Sequence, residues 1–139
     1  MDIEKGAVWL PFPLMERFMR DVFVGLGAPK ADAAICANVL IKADEFGFDS
    51  HGISRLKPIY YDRIKQGIQL AQTRVRVVKD SAGTAVLDGG NGMGHVVAHQ
   101  AMNLAIRKAK KHGLGMVAVR NSTHFGIAGY YPLMAVKAG

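Results

Sequence analysis

The feature that most constrains this chain is a change of apolar period near Gln66-Gly67. Before that point apolar residues return every three or four positions. After it, short alternating or apolar runs are separated by glycine-bearing turns and one long helical stretch. Such a chain buries helix faces first and then lays strands beside a helix, which predicts an α/β protein with a helical leader. Over residues 14–26 the stripe is Leu14, Met15, Phe18, Met19, Val22, Phe23 and Leu26, closed by Gly25, Gly27 and Pro29. A second helix over about 30–45 carries Ile35, Cys36, Val39, Leu40 and Ala43, and the short link predicts an antiparallel pair. A third helix is expected over about 51–65, with Asp49 or Ser50 as its N-cap.

Beyond the switch, residues 74–79 and 84–87 read as two strands of a hairpin turned by Asp80-Ser81-Ala82-Gly83. A helix over about 96–112 puts His95, His99, Asn103, Arg107 and Lys111 on a polar face. Val97, Ala98, Ala101, Met102, Ala105 and Ala109 then point inward. Gly113 stops it, and Met116-Val117-Ala118-Val119 reads as a buried strand that runs into a polar loop and a last helix. The organisation is a helical part, 1–68, followed by an α/β part, 69–139, that reads as incomplete.

Composition narrows the function classes. No apolar run reaches eighteen residues, which argues against a membrane span, and Met1-Asp2-Ile3-Glu4-Lys5 lacks a signal-peptide layout. The single cysteine, Cys36, rules out an internal disulfide and sits in an apolar stripe, so it reads as a core residue in a reducing compartment; the expected location is cytoplasmic. The formal net charge of +7 raises nucleic acid as a partner. The densest run, Arg107-Lys108-Ala109-Lys110-Lys111, falls at a helix C-terminus, where cations meet the negative end of the dipole, and no aromatics interleave with it. No nucleic acid and no membrane are expected as partners.

Gly89-Gly90-Asn91-Gly92-Met93-Gly94 lies between a strand and a helix, where a dinucleotide-binding turn would sit. Counted from Gly90, the fingerprint wants glycine where His95 stands, and the following strand ends in Arg120 rather than an acid. A tight structural turn fits better. His95 and His99 are one turn apart, but no third ligand accompanies them and no metal is expected.

Two segments do not read as packing. In Ser50-His51-Gly52-Ile53-Ser54-Arg55, a helix starting at Ser50 sets His51 and Arg55 on one face. A guanidinium fork matches a carboxylate, an imidazole exchanges protons near neutral pH, and a helix N-terminus favours an anion. The second is Asn121-Ser122-Thr123-His124-Phe125-Gly126-Ile127-Ala128-Gly129-Tyr130-Tyr131, directly after a strand, where α/β proteins place ligands. Spacing alone equally allows a capped polar helix face for the first and a satisfied histidine for the second.

Both segments closely resemble signatures of the type 2 malate/L-lactate dehydrogenase family, in the right order and separation. Leu87-Asp88-Gly89 with Gly92-Met93-Gly94, and Lys111-His112-Gly113 before a strand, extend the likeness over nearly the whole chain. The resemblance implies a non-Rossmann α/β fold, a homodimer, NAD or NADP as cofactor, and hydride transfer to or from a small 2-hydroxy or 2-oxo acid. It also implies His51 and His124 as the catalytic candidates, with Ser50 and Arg55 at the substrate. Family members are more than twice as long, so the chain reads as an N-terminal part, inactive alone, with most cofactor-binding positions beyond residue 139. The alternatives from other classes are a non-catalytic module that binds a small carboxylate and, behind it, a basic nucleic-acid-binding domain.

Overall fold

The computed structural model describes residues 8–139; the opening residues 1–5 discussed above lie outside them. Helix α1, Phe12–Gly25, starts after Pro11 and holds Pro13 in its first turn, where a missing N–H breaks no helical bond. Helix α2, Lys30–Glu45, likewise follows Pro29. The two pack through Met19 and Phe23 against Ala33, Cys36, Ala37 and Leu40, all fully buried. The small residues at 33 and 37 let the helices approach closely. Leu14 and Phe18, expected inside, are 42% and 52% exposed, because α1 turns only the Met15–Met19–Phe23 edge toward α2. Cys36 is buried in that core, as expected, and burial pushes its thiol pKa up.

The expected third helix is three elements instead. A 3₁₀ turn, Ile53–Arg55, leads into a π-helical stretch, Leu56–Tyr61, and then α3, Asp62–Lys65. Pro58 lies in the middle of the π stretch. It has no N–H to donate and its ring collides with the carbonyl four residues back, so regular α geometry is lost. Neither Asp49 nor Ser50 caps the segment. Asp44, at the end of α2, accepts the Ile53 N–H at 2.9 Å.

The hairpin is present: β1, Arg76–Asp80, pairs antiparallel with β2, Thr84–Asp88. Helix α4, Gly94–His112, crosses over to β3, Met116–Arg120, which lies parallel to β2, giving the order β1-β2-β3. Helix α5, Tyr130–Ala138, follows. Strand β3 was expected to be buried, yet Met116 is 60% and Val119 37% exposed. It is the sheet edge, with a strand on one side only. The main core lies elsewhere, where the α4 start delivers Met93 and Val96 onto α1, α2, Leu56 and Tyr60. None of the described helices is long and apolar enough to cross a membrane.

Candidate active site

The glycine turn is a structural brace rather than a phosphate cradle. Its backbone N–H groups are already used: Gly89 on the Arg120 carbonyl, Asn91 on the Asn121 carbonyl, and Gly92 on the Gly89 carbonyl. Gly90 donates to the Asp88 carboxylate, Met93 to Thr73 Oγ1 and Gly94 to Thr123 Oγ1. Thr123 Oγ1 also donates to the Gly92 carbonyl at 2.8 Å, so one hydroxyl ties the α4 start to the loop after β3. A Cβ at Gly94 would stand 2.3 Å from the Thr123 carbonyl oxygen, which explains why only glycine fits there. Asp88, nearly fully buried, also accepts from Asn121 Nδ2 and Arg120 Nε at 3.0 Å each. The Gly90 N–H first, then these two donors, hold its carboxyl below the usual carboxylate range. Arg120, which stands where the fingerprint wants an acid, is thereby held against Asp88 through its Nε.

The Ser50–Arg55 loop is set from below by α2. A Cβ at Gly52 would fall 1.7 Å from Asp44 Oδ1, so glycine lets the chain pass directly over that carboxylate. Burial, with Asp49 nearby, raises the Asp44 pKa against the opposing Ile53 N–H bond. Ser50 Oγ lies 2.8 Å from His51 Nδ1, and Arg55 Nε donates to the Ser50 carbonyl. Ser50 thus touches both His51 and Arg55, by a route other than the helix face that the spacing predicts. The expected helix N-terminus beside them is absent, since the nearest element is a three-residue 3₁₀ turn.

The loop after β3 brings His124 to the same place. The His51 and His124 rings stack with centroids 5.8 Å apart and planes 22° apart. Burial first, then the His51, Arg55 and Arg63 charges, push the His124 pKa below the usual histidine range. Behind it stands Tyr60, whose Oη is 2.7 Å from His124 Nδ1 and 2.9 Å from His95 Nε2. Spacing had put His95 on a solvated polar face. It is instead fully buried, because α4 begins at Gly94 and its first turn dives under the π stretch. Burial, with the His124 charge second, drives its pKa down to about 3. A signal existed: His95, Ala98, Met102, Ala105 and Ala109 recur at three and four, so His95 heads the inward stripe. Nothing in the spacing marks Tyr60.

Two cavities flank the His124 loop. One, about 460 Å³, is lined by His51 with Phe46, Phe48, Ile127, Ala128 and Leu133. The other, about 800 Å³, lies between α4, β3 and α5, with Thr123 and Phe125 on its wall. Among the described residues no group of three or more His, Cys, Asp or Glu gathers to hold a metal ion.

Comparison with known proteins decides the family. The family model for malate/L-lactate dehydrogenase matches residues 10–139. The chain belongs to the malate/L-lactate dehydrogenase family. A malate dehydrogenase of Pyrococcus abyssi is 45% identical over 137 residues, covering 99% of this chain and 38% of that protein. An L-sulfolactate dehydrogenase of Methanocaldococcus jannaschii is 47% identical over 122 residues, covering 88% of this chain and 35% of that protein. In structure, malate dehydrogenase from Entamoeba histolytica superposes with a TM-score of 0.92 at 45% identity, over 94% of this chain and 36% of the other. The malate/L-lactate dehydrogenase fold, non-Rossmann and α/β, is therefore the fold of this chain, which spans less than two fifths of the length of each of these relatives.

Proposed function

We propose that these residues form the substrate side of a dehydrogenase that moves a hydride between a nicotinamide cofactor, NAD or NADP, and a small 2-hydroxy or 2-oxo acid of the malate or lactate kind. The observation that carries this reading is that His51, on the wall of a cavity, stacks on His124 from a loop 73 positions away, while Ser50 links His51 to Arg55. A core histidine pair would have no reason to sit next to a guanidinium and an opening. Relatives named malate dehydrogenase and L-sulfolactate dehydrogenase support the same chemistry.

Each role follows from the chemistry of the group. Arg55 anchors the substrate carboxylate: its Nε is held by the Ser50 carbonyl, which fixes the plane of the fork and leaves its terminal nitrogens without a hydrogen bond among the described residues. Ser50 orients His51 through their 2.8 Å contact. His51 and His124 face the oxygen on the α-carbon, and one of them exchanges its proton. Phe46, Phe48 and Ile127 give the opening beside His51 an apolar wall. Bound cofactor supplies the hydride acceptor or donor. The glycine turn does not fit its pyrophosphate, since the turn's N–H groups are spent internally.

In the intact enzyme we place this part in a homodimer, supported by exposed apolar Leu14 and Phe18 on the outer side of α1 and by exposed Trp9 just before that helix. A lone, buried, unpaired cysteine supports a reducing cytoplasmic setting. The test is NADH and NADPH oxidation by the protein carrying these residues, against oxaloacetate, pyruvate and sulfopyruvate. Turnover of at least one acid supports the reading. Tight binding of the acids with no turnover under either cofactor would replace it with a carboxylate-binding module.

A further inference from the structure

Behind His124 lies a buried hydrogen-bond chain that the substrate chemistry does not use directly. A neutral imidazole has one N–H and one lone pair. The Gly126 N–H reaches His124 Nδ1 at 3.2 Å, and a backbone N–H can only donate. In the neutral ring Nδ1 is therefore the bare nitrogen, and the proton sits on Nε2. Tyr60 Oη lies 2.7 Å from the same Nδ1, so it donates its only hydrogen there. It must then accept at its other contact, from His95 Nε2 at 2.9 Å. That gives His95 its proton on Nε2 and leaves Nδ1 bare. Consistently, His95 Nδ1 is buried with no hydrogen-bond partner in the structure, and a buried lone pair without a partner is less unusual than a buried orphaned N–H.

The geometry points to Tyr60 and His95 as positioning residues that fix His124 in one tautomer, bare at Nδ1 and protonated at Nε2, so that it offers the substrate oxygen an N–H. This rests on the reading of His124 as a substrate-facing group. The chain is directional. His95 sends a hydrogen to Tyr60, Tyr60 sends one to His124, and Gly126 sends a second to the same nitrogen. A proton added at Nδ1 would point into two hydrogens. The groups facing His124 from each packed element are His51 and Arg55 of the preceding loop, Tyr60 of the π stretch, Arg63 of α3 and His95 of α4. None is a carboxylate that would favour the cation, and the depressed His124 pKa has the same direction.

Nitrogen NMR of the full chain carrying ¹⁵N-histidine tests this without substrate. Above its titration, His124 is expected to show an unprotonated Nδ1 and a protonated Nε2, and His95 the same. Tyr60→Phe keeps the ring and removes the hydroxyl. It should let an Nδ1–H population appear in His124 and raise its titration by about 0.5 to 1 pH unit, the worth of one hydrogen bond. His95→Gln, which can place an amide N–H where Nε2 stood, should keep the wild-type His124 signature, whereas His95→Leu, which leaves Tyr60 its hydrogen but frees it to accept, should shift His124 in the same direction by less than Tyr60→Phe. A protonated Nδ1 in wild-type His124 overturns the proposal, and so does an unchanged His124 in Tyr60→Phe. The wild-type spectrum decides even where a variant does not fold. The expected tautomers in a protein that reduces none of the acids would sink the dehydrogenase reading and leave the wiring standing.

Discussion

The two sides of the His124 loop are built differently. On the histidine side, α1, α2, the π stretch and the α4 start close on one another, and Met19, Phe23, Leu40, Tyr60 and His95 are each fully buried. On the sheet side, β3 is an edge strand with Met116 and Val119 exposed, and an apolar groove of about 800 Å³ opens between α4 and α5. The first side buries Tyr60 and His95 within this chain, while Ser50, His51 and Arg55 lie at its open rim. The second, among the described residues, is apolar and open. The difference teaches where donors can be held in fixed geometry, which a defined tautomer requires.

The comparison can be broken by substitutions on each side. The largest effect is expected at the chemistry. His124→Ala should lower kcat about 100-fold to 10,000-fold in steady-state assays, the usual range for a positioned acid, base or oxygen-binding group. A variant within a few-fold of wild type would remove His124 from the reaction. Next is packing. Leu40→Ala, on the sealed side, should cost about 2–5 kcal/mol in denaturant unfolding. Val119→Ala, on the open side, should stay within about 0.5 kcal/mol. Equal losses would contradict the contrast between the two sides.

Acid sharpens the same contrast. The His95 pKa falls to about 3 in the fold from an ordinary 6.5. The folded state thus binds fewer protons than the unfolded one between these values. Its contribution is complete above pH 6.5 and is lost as pH falls toward 3, by up to about 1.4 kcal/mol per pH unit. Asp88, held below the usual carboxylate range, adds a loss of the same sign at lower pH. Unfolding midpoints measured from pH 7 to 4 should decline, and His95→Gln should flatten the part above pH 5. A flat wild-type profile would mean that His95 is not sealed in.

Much of this was legible in the sequence, for reasons that differ by region. Met19, Phe23, Cys36 and Leu40 announce themselves because a helix buries every third or fourth residue. The hairpin at residues 80–83 follows from local turn chemistry, and the failed glycine fingerprint at His95 foretold that the turn would be structural. The segment after Ser50 departs from the helix that its periodicity predicts because Pro58 interrupts it, and its cap, Asp44, comes from the preceding helix. Strand β3 is exposed where an apolar run predicts burial, since such a run is silent about whether it lies at an edge of the described sheet. Tyr60 was invisible because its partners, His95 and His124, lie 35 and 64 positions away.

The most direct test of the central claim, that the histidine side is a carboxylate-anchored substrate site, is the kinetics of Arg55→Lys with the best 2-oxo acid. Lysine keeps the charge and loses the two-pronged donor. The account predicts a KM raised about tenfold or more, with kcat changed far less, since the loss falls mainly on carboxylate binding. Unchanged KM and kcat would show that Arg55 does not touch the substrate and that the carboxylate is held elsewhere.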